Sequence, residues 1–172
     1  MQEDKSHLLY FAMRYGILLG MFWIFKYLFI IGAKEIPLLM NVNSILSFGT
    51  LILLVYFLIR YKSKLKAPIG YWHCVSFSIL LFFFAGIFEA IIVFIHTNWV
   101  DTAFIPDLYE NALNIIKELG MNSIFAETEN KPFPSPVYYT FNSLLSNVFI
   151  GLFLGLAVSP IIVNYKPKQN KA

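Results

Sequence analysis

Cysteine and charge are both scarce in these 172 residues: Cys74 stands alone, and only 13% of the chain is charged, against roughly 25% in a soluble globular domain. A single cysteine excludes an internal disulfide and a multi-cysteine metal site. Low charge beside 58% hydrophobic residues excludes disorder. It also argues against a soluble cytosolic enzyme, because that much apolar surface cannot be wetted without aggregation. The phosphate-cradling glycine loop, the His-Glu-x-x-His zinc pattern and the Gly-x-Ser-x-Gly elbow are missing as well. His7, His73 and His96 are far apart along the chain and read as interfacial residues rather than as a joint metal site. No catalytic residue, metal or cofactor is expected.

Long apolar runs fill the chain instead. A helix needs about 20 mostly apolar residues to cross a hydrocarbon core of roughly 30 Å. Four stretches qualify, at about 10–31, 40–59, 74–96 and 138–163. In lipid each segment must satisfy its own backbone amides, and runs this continuous do not alternate as barrel strands do. The expected fold is therefore all-α, a single membrane domain over 1–172 built as a bundle of four transmembrane helices. The first span is too long for a signal peptide and no small-residue cleavage site follows Ile31, so it is expected to be retained. The ends, Met1-Gln2 and Lys171-Ala172, carry no myristoylation or prenylation box, which leaves spanning as the attachment.

Lysine and arginine set the orientation, since they stay on the cytoplasmic side of short loops. Arg60, Lys62, Lys64 and Lys66 follow span two, Lys166, Lys168 and Lys171 form the tail, and Lys5 and Arg14 sit at the amino end. Only Lys34, Lys117 and Lys131 fall on the opposite side. Both termini are thus expected on the cytoplasmic side. Arg14, about a turn inside that boundary, can snorkel to phosphates. Trp72 with Tyr61, and Trp99 with Tyr138 and Tyr139, are placed as the inner and outer aromatic belts.

The outer loop, 97–135, is the one extramembrane stretch long enough for structure of its own. Pro106 can open a helix there and Gly120 can close one, while Leu108, Ala112, Ile115, Ile116 and Leu119 share a stripe at helical spacing. The opposite face is net negative, so docking on the bundle mouth or on a partner explains this short amphipathic helix better than anionic lipid does. Three prolines between Lys131 and Pro136 then make a stiff connector into the last span.

Ionisable groups within spans are costly and mark candidate sites. Lys26 and Glu89 lie on spans that run in the same direction, each roughly 23 Å up from the inner face, and are expected to pair inside the bundle. An unpaired Glu89 would instead be suited to carrying protons. Asn43 and Ser47, with Asn142, Ser143, Ser146 and Asn147, make the outer half of the bundle polar at a similar height. Two small-residue stripes, Ala12, Gly16 and Gly20 in span one and Gly151, Gly155 and Ser159 in span four, recur every four residues. Such stripes let backbones approach closely, and the two are expected to meet each other or to form a homodimer face. Pro160 is expected to bend or end the last helix.

The opening of span one, Arg14-Tyr15-Gly16-Ile17-Leu18-Leu19-Gly20, resembles the start of the bacterial four-helix membrane proteins of the domain of unknown function 4199 family (DUF4199), found in Bacteroidetes. An outer loop with Pro106-Asp107 and a short helix, then Pro134-Ser135-Pro136 before a glycine-containing last span, is similar to that family's layout. The resemblance implies an inner-membrane protein without an established activity, so it carries over no catalytic residue. From the residues themselves, the leading expectation is a non-enzymatic module embedded in the lipid bilayer that assembles with itself or with a membrane-protein partner. The alternative is a small proton- or ion-coupled carrier using Glu89 and Lys26. Topology and anionic headgroups account for the basic loop from Arg60, so no nucleic acid is expected as a partner.

Overall fold

The computed structural model describes residues 2–65, 68–121 and 132–165, with side chains from His7 onward. Lys5, Lys66, Lys131, Lys166, Lys168 and Lys171, used above for orientation or for the proline connector, lie outside the residues whose side chains are described. Among the described residues the elements are helical: α1 (Gln2–Gly32), α2 (Leu38–Lys64), α3 (Tyr71–Ile95) running into a π-helical turn (His96–Val100), α4 (Phe104–Glu118) and α5 (Pro136–Asn164). Four of them, α1, α2, α3 and α5, are long and apolar enough to cross a membrane. Their outward faces carry large apolar side chains such as Phe25, Ile45, Ile52 and Phe153, as lipid requires and water does not allow. The fold is an all-α multi-pass membrane bundle.

Local chemistry sets the helix ends. Ser135 caps α5, its Oγ accepting from Tyr138 N at 3.3 Å, and Pro136 follows where its missing N–H costs nothing. Pro106 lies in the first turn of α4, where its N–H would also have gone unused. At the other end of α4, Gly120 adopts φ 71°. Its N–H bonds Lys117 O at 3.0 Å, and the Met121 N–H bonds Ile116 O at 3.2 Å, the reciprocal pair of a left-handed helix stop that favours glycine. The outer segment is shorter than expected, because the π turn carries the third span on to Val100 and buries Thr97.

α3 stands at the centre, packed most extensively against α5 on one side and α1 on the other. This corrects the expected pairing of spans one and four. A Cβ added at Gly16 would lie 2.6 Å from Phe84 Cβ, and one at Gly20 2.8 Å from Phe88 Cβ. One at Gly151 would lie 2.7 Å from Phe82 Cβ, and one at Gly155 2.9 Å from Ser78 Cβ. The two stripes therefore grip opposite faces of α3, the most apolar span, instead of each other. Ala12 and Ser159, at the ends of those stripes, are fully buried.

α2 leans mainly on α1 and touches α3 and α5 lightly. At the basic end of the bundle Tyr61 is fully buried, stacked on Phe77 at 4.5 Å and bonded to His73 Nε2 at 2.6 Å, so it belongs to the core and not to an aromatic belt. Beside it, the ammonium of Lys62 donates to the carbonyls of Ile162, Val163 and Tyr165, each at 2.8 Å, where the C-terminus of α5 leaves acceptors open. Pro160 does not end α5, which runs four residues further. A proline leaves the carbonyl four residues back without its helical donor. Here that carbonyl, Leu156 O, accepts from Tyr71 Oη at 3.2 Å.

Candidate functional site

The expected contact between Lys26 and Glu89 is not made. Lys26 Nζ donates to Ser47 Oγ on α2 at 3.4 Å, while Glu89 Oε2 accepts from Asn147 Nδ2 on α5 at 2.5 Å. The two differ in depth as well as azimuth: Gly20 lies beside Phe88 on the parallel α3, so Lys26 stands about five residues, roughly 7–8 Å, above Glu89. From Gly20, which faces α3, six residues turn the helix by about 240°. Lys26 consequently points to α2, and Tyr27 takes the inward place beside α3. Glu89 follows Gly86, whose bare α-carbon packs against Leu144 and Asn147, so it points to α5.

Lys26 and Asn147 both line a cleft of about 400 Å³, bounded by all four spans. α1 contributes Trp23 and Lys26, α2 contributes Ser44, Ser47, Phe48, Thr50 and Leu51, and Phe82, Asn147, Ile150 and Leu154 come from α3 and α5. The cleft exists because α2 and α5 touch only lightly. Its floor is held by Trp23 Nε1 donating to Thr50 Oγ1 at 3.0 Å, a buried bond. The mouth is apolar: Phe48 is 73% exposed and Ile150 47%, so the opening faces sideways toward lipid.

The polar outer-half residues do not act as one group. Ser47 and Asn147 line the cleft. Asn43 lends its backbone carbonyl to Ser47 Oγ, and its own Oδ1 is buried with no partner among the described residues. Asn142 Nδ2 turns back to Tyr138 O on its own helix, and Ser146 is exposed on the outer surface of α5. Arg14 is exposed, consistent with snorkelling.

A second, smaller cavity of about 250 Å³ lies at the α4 end, lined by Lys34, His96, Asp101, Phe104 and Asp107 among others. His96 is buried there and not interfacial, with Nδ1 at 3.0 Å from Tyr27 Oη and its ring against Phe104 at 4.8 Å. Lys34 and Asp101 form an ion pair at 2.9 Å that ties the α1–α2 turn to the approach of α4. The hydrogen bond from Lys34 holds the Asp101 carboxyl below its usual range and raises the Lys34 ammonium. Phe104, the buried Ile105 and the cavity-lining Leu108 hold the first half of α4 to the bundle end, whereas among the described residues Ile115 and Leu119 are 57% and 64% exposed.

Sequence reasoning missed Trp23 and Thr50. The signal was available in spacing, since Trp23 and Lys26 on α1, and Ser44, Ser47 and Leu51 on α2, recur at three and four residues and so share a face. Residues 14–164 match a family model described as Protein of unknown function (DUF4199). No curated protein and no solved structure matches the chain.

Proposed function

We propose, for a chain that belongs to the DUF4199 family of unknown function, a non-enzymatic role: a membrane module that binds its partner in the cleft between α2 and α5. One observation carries this reading. Lys26 is an intramembrane cation whose hydrogen-bond partner among the described residues is a single hydroxyl at 3.4 Å, and its ammonium lines an open cavity. A charge in that setting is expensive unless something completes it. The hydroxyl protons of Ser44 and Ser47 are donated to the carbonyls of Met40 and Asn43, which favours binding over nucleophilic chemistry. α3 packs against both glycine stripes, which favours the cleft over them as the binding surface.

The module belongs, on this reading, in a bacterial inner membrane with both termini cytoplasmic. Arg60, Lys62 and Lys64 at one end of the bundle support that orientation. Native mass spectrometry of the protein released from its own membrane tests the binding role. A retained non-protein mass is expected, and it should be lost in Leu51→Trp, which fills the cleft. A wild-type protein that carries nothing would refute the reading.

The hydrogen bond from Asn147, a cleft residue, to Glu89 favours proton- or ion-coupled transport as a second reading. Proteoliposomes holding wild type or Glu89→Gln separate the two. A pH-driven flux present in wild type and abolished in the variant would promote the carrier, whereas no flux in either is the outcome of simple binding.

A further inference from the structure

We propose that the cleft seats an anionic amphiphile drawn sideways from the bilayer, with its acidic headgroup on Lys26 Nζ and its chain along Leu51, Ile150 and Leu154. The proposal rests on the binding role above and names the ligand's chemistry.

Three observations carry it. First, Lys26 is the charged residue among those lining the cavity. An ammonium has three protons to donate, and Ser47 engages it at only 3.4 Å, so the seat calls for an acceptor with negative charge. Glu89 does not fill this place, because its carboxylate is bonded to Asn147. Second, polarity runs along the cleft. Ser44, Ser47 and Lys26 lie toward the α4 end, whereas Leu51, Phe82 and Leu154 lie deeper. By helical rise Lys26 sits roughly 9 Å below the end of α1, so a lipid of that leaflet would enter head-up, in the orientation it already has. Third, the mouth is bordered by Phe48 and Ile150, both widely exposed to the membrane, which gives a lateral path from lipid. A cavity of about 400 Å³ accommodates part of a chain with the remainder left in the bilayer. A zwitterionic headgroup fits less well, since it brings a second cation to Lys26.

Trp23 lines the cleft and reports on its occupant. In a Trp72→Phe, Trp99→Phe background it is the remaining tryptophan, and bromine on an acyl chain quenches it at short range. Nanodiscs of unbrominated zwitterionic lipid would receive the same small fraction of brominated phosphatidylglycerol, brominated fatty acid or brominated phosphatidylcholine. Anionic probes should quench Trp23 with about tenfold higher apparent affinity than phosphatidylcholine. Lys26→Gln should erase the preference and Lys26→Arg should keep it, which separates loss of charge from loss of fold. Whichever anionic probe binds more tightly identifies a phosphodiester or a carboxylate source. Equal quenching by all three probes, or a preference for phosphatidylcholine, overturns the proposed ligand class while leaving the binding role standing. No quenching by any probe overturns both.

Discussion

Tyr71 and Pro160 should be coupled energetically although they lie on different helices. Pro160 has no N–H, so the Leu156 carbonyl has no helical donor, and Tyr71 Oη takes that place at 3.2 Å. Tyr71→Phe removes the hydroxyl and leaves a part-buried carbonyl unsatisfied, at a cost of about 1–3 kcal/mol. In a Pro160→Ala background, α5 can supply the missing N–H from within the helix. Tyr71→Phe should then cost close to nothing. The double-mutant cycle, read from detergent-driven unfolding of the four proteins in mixed micelles, should therefore give a coupling of about 1–3 kcal/mol. If Tyr71→Phe costs the same in both backgrounds, the hydroxyl is not compensating for the proline and the reasoning fails.

Gly155→Leu should destabilise the monomer by about 1–3 kcal/mol or more through overlap with Ser78, seen as a lower unfolding midpoint; a change in oligomeric state at unchanged stability would contradict the assignment of this stripe to α3. Lys62→Met should free three carbonyls at the end of α5 and accelerate amide exchange over 161–165, while exchange in α1 stays the same. The Lys34–Asp101 pair lowers the Asp101 pKa and raises that of Lys34. Its contribution is thus complete between about pH 4 and about pH 10, the unfolded values of the two groups. It is lost as pH falls through the depressed Asp101 value or rises through the elevated Lys34 value. With Trp23 and Trp72 replaced by Phe, Trp99 emission should shift below about pH 4, a transition absent in Lys34→Met.

The spans were legible because lipid imposes one rule on a whole segment: length and apolarity alone suffice to mark α1, α2, α3 and α5. The stop at Gly120 was legible for a similar reason, since a positive φ names its residue. Partner choice was not legible. Gly16, Gly20, Gly151 and Gly155 announce close approach without saying to what, and the answer was α3, which carries no such stripe of its own. Lys26 and Glu89 were misplaced in both height and azimuth, because counting from estimated span ends fixes neither the register between α1 and α3 nor the angle each residue reaches. The cleft was hidden for a further reason. It arises from the light contact between α2 and α5, a property of the assembled bundle that no single segment encodes.

The central claim is that Lys26 waits on an anion in an open cleft instead of pairing with Glu89. A crystal structure grown from a lipidic mesophase doped with phosphatidylglycerol and fatty acid tests it most directly. Elongated density between α2 and α5, ending within hydrogen-bond distance of Lys26 Nζ, is the expected result. A cleft closed by Phe48 against Ile150, or a Lys26 turned inward onto the Glu89 carboxylate, would contradict it.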